Sequence, residues 1–324
     1  MNDYRAPHWL PGGHAQTIYA ALNRPPMPAY TRERWDTPDG DFVDLDWAGP
    51  REAQNTLLLF HGLEGGSGSH YARAIVAQAA QAGWRCAVAH FRGCSGEPNR
   101  LARAYHSGDA EEIDWIVRRV HAASAAQASR SGLPPPRLHL AAVSLGGNAT
   151  LKWLGERGGE AAGLVHRAAA ISAPFDLAAA GRVLERGFNM VYTRMFLATM
   201  KRAAAAKLAR FPGIFDARAM QAARTLYEFD NAVTAPLHGF RDTDDYWSRA
   251  SSWPLLAGIR VPTLVLNARN DPFMPAQSLE RARGASSDVI LEFPEQGGHV
   301  GFPSGLLPGG RHWLAARLME FYTS

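Results

Sequence analysis

A chain of 324 residues with 46% hydrophobic and 20% charged side chains can bury a large core, either as one domain with an insertion or as two domains. Its net charge of +4, from 34 basic and 30 acidic residues, is too small to argue for a nucleic-acid partner. No run of about 18 apolar residues is present to span a bilayer, and the N-terminal segment lacks the apolar core of a signal peptide, so a cytoplasmic protein is expected.

In chain order, residues 1–34 stand apart from the strand–helix pattern and carry the segment "GGHAQTIYAAL". In "DGDFVDLDWAG", Phe42, Val43, Leu45 and Trp47 alternate among acids, which predicts an antiparallel edge strand entered through the Asp39-Gly40 turn. Apolar runs at 56–62, 85–93, 138–144, 167–173, 262–271 and 289–296 read as strands, and most are apolar throughout, as parallel strands covered on both faces require. Cys86 falls in one such run and Cys94 in the glycine-rich loop behind it, a placement that suits two free thiols in a reducing compartment. Ile113, Ile116, Val117 and Val120 repeat at helical spacing, as do Leu314, Leu318, Phe321 and Tyr322. Residues 122–137 read as a mobile low-complexity connection. Strand–helix alternation of this kind specifies an α/β fold with a mostly parallel sheet. From 175 to 250 the strands cease, and this stretch reads as an inserted helical cap on a single domain whose core is 35–174 and 251–324.

The chemistry begins at "LHLAAVSLGGNAT", where an apolar strand hands over to a helix with Ser144 at the apex. A nucleophile elbow reads G-x-S-x-G, and here Ala142 holds the first position. A serine needs a base and an orienting carboxylate, which in such sheets follow it in the order acid, histidine. Asp271, in "NARND", and His299, in "EQGGHVGF", supply them just past strand ends, where open α/β sheets place their sites. Singly, each residue has a plain reading: a helix cap, an Asp-Pro turn, an exposed histidine. Jointly, in this order and with glycines beside the serine and the histidine, they read as a triad.

The tetrahedral oxyanion of acyl transfer needs preorganised donors, and the backbone N–H groups of Leu145 and Leu63 are the candidates. His61 shapes the "FHGLEGG" loop, and Glu64 is a less clear candidate for substrate contact or loop support. A phosphate loop would need a following lysine, and a dinucleotide loop G-x-G-x-x-G. Neither is present, and no metal or cofactor is expected.

With the three residues placed, "HGLEGGSGSHYAR", "FRGCSGEPN", "YHSGDAEEIDWIV", "SLGGNATLKWL", "FDNAVTAPLHGFRDTDDYWSRASS" and "NARNDPF" resemble the YheT-type α/β-hydrolases, bacterial relatives of animal abhydrolase-domain esterases and lipases. "GGHAQTIYAAL" and "TPDGDFVDLDW" resemble that family's leading segment. The resemblance implies an α/β-hydrolase fold, the triad Ser144, Asp271 and His299, and hydrolysis of short-chain or lipid-like carboxylic esters. The family's elbow is Gly-Phe-Ser-Leu-Gly-Gly-Asn, so Ala142 and Val143 depart from it.

Other residues stay open at this level. Arg92 reads as a loop-pinning residue paired with carboxylates such as Glu64 or Asp109, Cys94 has no base partner, and His106 suits either substrate contact or a helix start. "HAQT" has no assigned role. Between 181 and 211 the cap carries Arg182, Arg186, Arg194, Lys201, Arg202, Lys207 and Arg210 against Glu185 alone, seven minus one or +6. Phe188, Met190, Tyr192, Met195, Phe196 and Met200 are interleaved with them and would form an apolar face. The simpler reading is apolar faces on the core with solvated basic faces. The sharper one is transient docking on an anionic membrane. A monoacylglycerol or phospholipid lipase, a thioesterase, an acyltransferase and a non-catalytic acyl-binding module share the pattern, and it leaves the oligomeric state undecided.

Overall fold

The computed structural model describes residues 4–307, 310 and 312–324, so the extension expected over 1–34 begins with three residues outside them. Strands β1 (Thr31–Asp36), β2 (Phe42–Ala48), β3 (Asn55–Phe60), β4 (Arg85–Ala89), β5 (Arg137–Val143), β6 (Arg167–Ile171), β7 (Thr263–Leu266) and β8 (Val289–Glu292) form one sheet in the order β1-β2-β4-β3-β5-β6-β7-β8. Among the described strands, β2 alone runs opposite to the others. The N-terminal segment supplies α1 (Gly13–Leu22).

Both faces of the sheet are covered, which explains the continuous apolar runs. Alternate residues of β3 serve opposite layers. Leu57 and Leu59 pack with Ile75 and Val76 of α2 (His70–Gln81) and Leu318 of α12 (His312–Thr323). Leu58 and Phe60 pack with Ile113 and Ile116 of α3 (Ala110–Ser131) and Leu151 of α4 (Leu145–Arg157). The short α5 (Gly159–Ala162) leads into β6.

Two expectations change. The strand at 42–48 is not the edge, because β1 pairs with it and takes that place. The sequence "TRERWD" hides β1, since Trp35 is its only buried side chain. Its arginines neutralise the buried acids of β2: Arg34 Nε lies 2.8 Å from Asp44 and Arg32 Nε 2.7 Å from Asp46. The connection expected at 122–137 is helical to Ser131, as its alanine content favours, and α3 ends at Gly132 in the left-handed conformation (φ 65°).

Between β6 and β7 the chain forms the cap: α6 (Leu177–Leu184), α7 (Asn189–Arg210), α8 (Ala217–Ala222), α9 (Leu226–Phe229), a π-helical turn (Asp230–Thr234), α10 (Ala235–His238) and α11 (Thr243–Ala250). Its two roots meet. Trp253 N–H donates to Phe175 O at 3.1 Å, and the Asn148 side chain of α4 donates to Ala250 O (2.8 Å) and accepts from Ser252 N–H (3.0 Å). The apolar residues of α7 do not share one face: Tyr192 is buried and Phe196 and Met200 are half-buried, whereas Phe188 and Met195 are exposed. Among the described residues, no helix is long and apolar enough to cross a membrane.

Candidate active site

β5 ends at Val143, and the chain turns into α4 at Ser144 with φ 53° and ψ −122°. A non-glycine residue there costs roughly 1–3 kcal/mol and persists only where its surroundings hold it. Ser144 N–H donates to Ile171 O at 2.8 Å, and its carbonyl accepts from Asn148 N–H at 3.1 Å. The turn brings α4 against the loop after β3. A Cβ at Gly146 would lie 2.5 Å from His61 O, so that position needs glycine. Ala142 is fully buried beside its register partner Ala170 on β6, where its methyl meets another small side chain.

The loops after β7 and β8 bring Asp271 and His299 to the same point. His299 Nε2 lies 2.9 Å from Ser144 Oγ, and its Nδ1 lies 2.9 Å from Asp271 Oδ2. The other Asp271 oxygen accepts from Phe273 N–H at 2.8 Å, and the Phe273 ring covers the imidazole at 4.1 Å between centroids. The carboxylate is fully buried and the imidazole is nearly so.

"HAQT" is the piece whose purpose the sequence conceals. It lies on α1, beside the histidine loop. Thr17 Oγ1 accepts from His299 N–H at 2.8 Å. The fully buried Gln16 accepts from Gly297 N–H (2.9 Å) and from Asn270 Nδ2 (3.0 Å), while Asn270 Oδ1 accepts from Gly298 N–H (2.9 Å). Gly298 has φ 64°, and a Cβ on it would lie 2.8 Å from Thr17 Oγ1. Gln16 thus ties the loop of Asp271 to the loop of His299. Gln16, Thr17, Asn270 and Phe273 were not legible as site residues, because such side-chain-to-backbone contacts leave no spacing motif.

His61 is fully buried, donates from Nδ1 to Gly62 O (2.7 Å) and accepts Phe91 N–H at Nε2 (3.1 Å). Burial pushes its pKa down to about 3, so it shapes the loop as a neutral ring. Leu63 and Leu145 line the cavity with Ser144, and neither backbone N–H has a hydrogen-bond partner among the described residues. Two free amides beside a serine suit a developing oxyanion.

The remaining predicted residues separate. Glu64, at φ 54°, accepts from Tyr105 O–H at 2.8 Å. Arg92 does pin loops, but through other partners than Glu64 or Asp109: its Nε lies 2.5 Å from Glu112 and its NH1 2.8 Å from Asp39 and 3.2 Å from Asp41. Its side chain is buried, and these are the carboxylates that the β1–β2 turn and the first turn of α3 present there. Asp109 instead pairs with Arg103 at 2.7 Å. Burial pushes the Cys94 thiol well up, which disfavours the thiolate. His106 lines the cavity with its ring 4.6 Å from that of His238. The cavity, about 380 Å³, is roofed by the cap through Leu177, Leu184, Phe196, Met200, Phe229 and Val233. An apolar chamber over a base-paired serine can hold an acyl group. Among the described residues, no group of three or more His, Cys, Asp or Glu side chains could hold a metal ion.

Residues 55–306 match the family model described as the alpha/beta hydrolase fold. The chain is 40% identical over 302 residues to the Escherichia coli (strain K12) protein YheT, which carries an esterase designation, with 90% of this chain and 84% of that one covered. It is 30% identical over 313 residues to the Mus musculus phospholipase ABHD3, with 93% and 73% covered. A Pyrococcus furiosus esterase structure superposes with a TM-score of 0.57 at 16% identity over 91% of each chain, a likeness of fold alone.

Proposed function

The chain belongs to the YheT-type α/β-hydrolases, and from that premise we propose that it is a serine carboxylic-ester hydrolase acting on short-chain or lipid-like esters through an acyl-enzyme. The observation that carries this reading is the unbroken relay from Ser144 Oγ through His299 to the buried Asp271, 2.9 Å at each step.

In this mechanism His299 Nε2 takes the Ser144 proton as Oγ attacks the ester carbonyl, and Asp271 holds the Nδ1–H tautomer and stabilises the imidazolium. The Leu63 and Leu145 amides receive the oxyanion; losing one such donor typically costs about 3 kcal/mol of barrier. The imidazolium returns its proton to the leaving alkoxide. Water then repeats the sequence on the acyl-enzyme with His299 as base. The apolar cavity and the 30% identity to a protein named a phospholipase support the lipid-like end of the substrate range.

The test is turnover of p-nitrophenyl esters from acetyl to dodecanoyl together with labelling by a fluorophosphonate. Hydrolysis with label on Ser144 is expected, and the chain-length optimum reports how much of the cavity the acyl group fills. No turnover of any ester and no label would favour an acyl-binding module.

Gln16→Ala is expected to lower kcat by about 10- to 100-fold with KM nearly unchanged, because the histidine loop loses its tie and small misplacements carry that cost. The fluorophosphonate labelling rate should fall in step, with the thermal midpoint held within a few degrees. A loss of stability with an unchanged kcat would make Gln16 purely structural.

A further inference from the structure

Apart from the cavity, exposed apolar side chains among the described residues gather on one surface. On α1, Ile18 and Leu22 follow His14 at four-residue intervals, on the opposite side of the helix from the buried Gln16 and Thr17, and Leu22 is 79% exposed. The His14 ring touches Phe188 at 4.8 Å, which joins this stripe to Phe188, Val191 and Met195 on and just before α7, the last 64% exposed. On the other side, the Trp9 ring packs on Tyr19 of α1 at 5.1 Å and its Nε1 donates to Gly305 O. The two residues after that glycine are Leu306 and Leu307, 89% and 71% exposed.

The charge of this face is one-sided. Residues 4–32, 186–215 and 296–319 contain no Asp or Glu. Arg5, Arg24, Arg186, Arg194 and Arg202 are exposed there, and none has an ion-pair partner among the described residues. A monomer in water gains nothing from a contiguous apolar stripe framed by uncompensated arginines. A bilayer with anionic headgroups satisfies both, taking leucine, methionine and phenylalanine side chains at the acyl boundary and arginines at the phosphates.

We propose that this face, built from α1, the first half of α7 and the loop after His299, docks the protein on an anionic lipid surface. The docked face lies close to the reacting groups: His14 stacks on Tyr192, Tyr192 packs on Phe273 at 4.8 Å, and Phe273 covers His299. The inference goes beyond the esterase reading and stands on different residues.

Co-sedimentation of the full chain with phosphatidylglycerol–phosphatidylcholine vesicles, against phosphatidylcholine alone, tests it. Binding to the anionic vesicles is expected, weakened by salt, and at least tenfold weaker for the neutral ones. The double variant Leu22→Glu with Met195→Glu should lose at least tenfold in binding while hydrolysing p-nitrophenyl acetate like the wild type. Should it misfold, Leu306→Glu with Leu307→Glu reports on the same face. Ser144→Ala should bind vesicles as the wild type does, so a failed esterase reading would leave this result intact. Absence of binding, or equal binding to both vesicle types, overturns the proposal. So does a concentration-dependent dimer that the double variant dissociates, since a second copy would then cover the face.

Discussion

Ser144→Ala is expected to lower kcat/KM on p-nitrophenyl esters by about four orders of magnitude or more, which is roughly 5.5 kcal/mol of transition-state stabilisation. The substitution removes one oxygen whose hydrogen-bond partner is His299, and the elbow keeps its shape because alanine carries the same Cβ at φ 53°. Stability should therefore stay within about 1 kcal/mol of the wild type. Residual turnover would come from the Leu63 and Leu145 amides and from the cavity, which hold the ester whether or not a nucleophile is present. In the proposed mechanism the three side chains act as one relay, so His299→Ala added to Ser144→Ala should cost little more. Equal activity in wild type and Ser144→Ala would sink the acyl-enzyme mechanism.

Arg92→Met should destabilise the fold by about 3–5 kcal/mol at neutral pH without touching the reacting groups. The guanidinium lies between Asp39, Asp41 and Glu112, with Arg103 farther off at 3.8 Å from Asp39 and 4.0 Å from Glu112, and both Asp41 and Glu112 are buried. Burial, with the nearby Asp109 adding to it, already pushes Glu112 up to about 7 in spite of Arg92. A carboxyl raised above its unfolded value of 4.5 contributes stability below that value and loses it as pH rises through about 7. Without the arginine that loss deepens, so urea unfolding should show a smaller deficit at pH 5 than at pH 7. Partial burial pulls Asp39 upward, but hydrogen bonds from Arg92 and Thr37 hold it down at about 2, so it stays charged across that window in the wild type. A deficit that is the same at both pH values would mean that Glu112 does not carry the effect.

The sheet and the three candidate reacting residues were legible because burial and chemistry constrain sequence locally. A parallel strand covered on both faces must be apolar throughout, and a nucleophile elbow needs small residues around its serine. β1 was not legible, since an edge strand with one buried residue reads as a charged loop. The α3 continuation was misread because an alanine-rich segment is at once low in complexity and high in helix propensity. α7 misled in another way: its apolar residues are divided between the cavity and the surface, so no single periodicity represents it. "HAQT" was opaque because its work is done through backbone groups 281 and 282 positions away in the chain, and pairing of that kind arises only on folding.

The cap enters and leaves the fold at neighbouring points. Its roots are stitched to each other and to Asn148, and the strands that flank it, β6 and β7, pair directly with one another. Nothing in the register of the sheet depends on what lies between Phe175 and Ser252. The insertion is therefore an exchangeable part. A helical segment of different length or composition, grafted onto the same two roots, would give the candidate site a different chamber if it kept Asn189, which donates to Pro272 O at 2.7 Å, and Tyr192, which packs on Phe273. Changes confined to that one contiguous stretch of gene would reshape the roof of the cavity, while the loops after β3 and β4 keep its other wall.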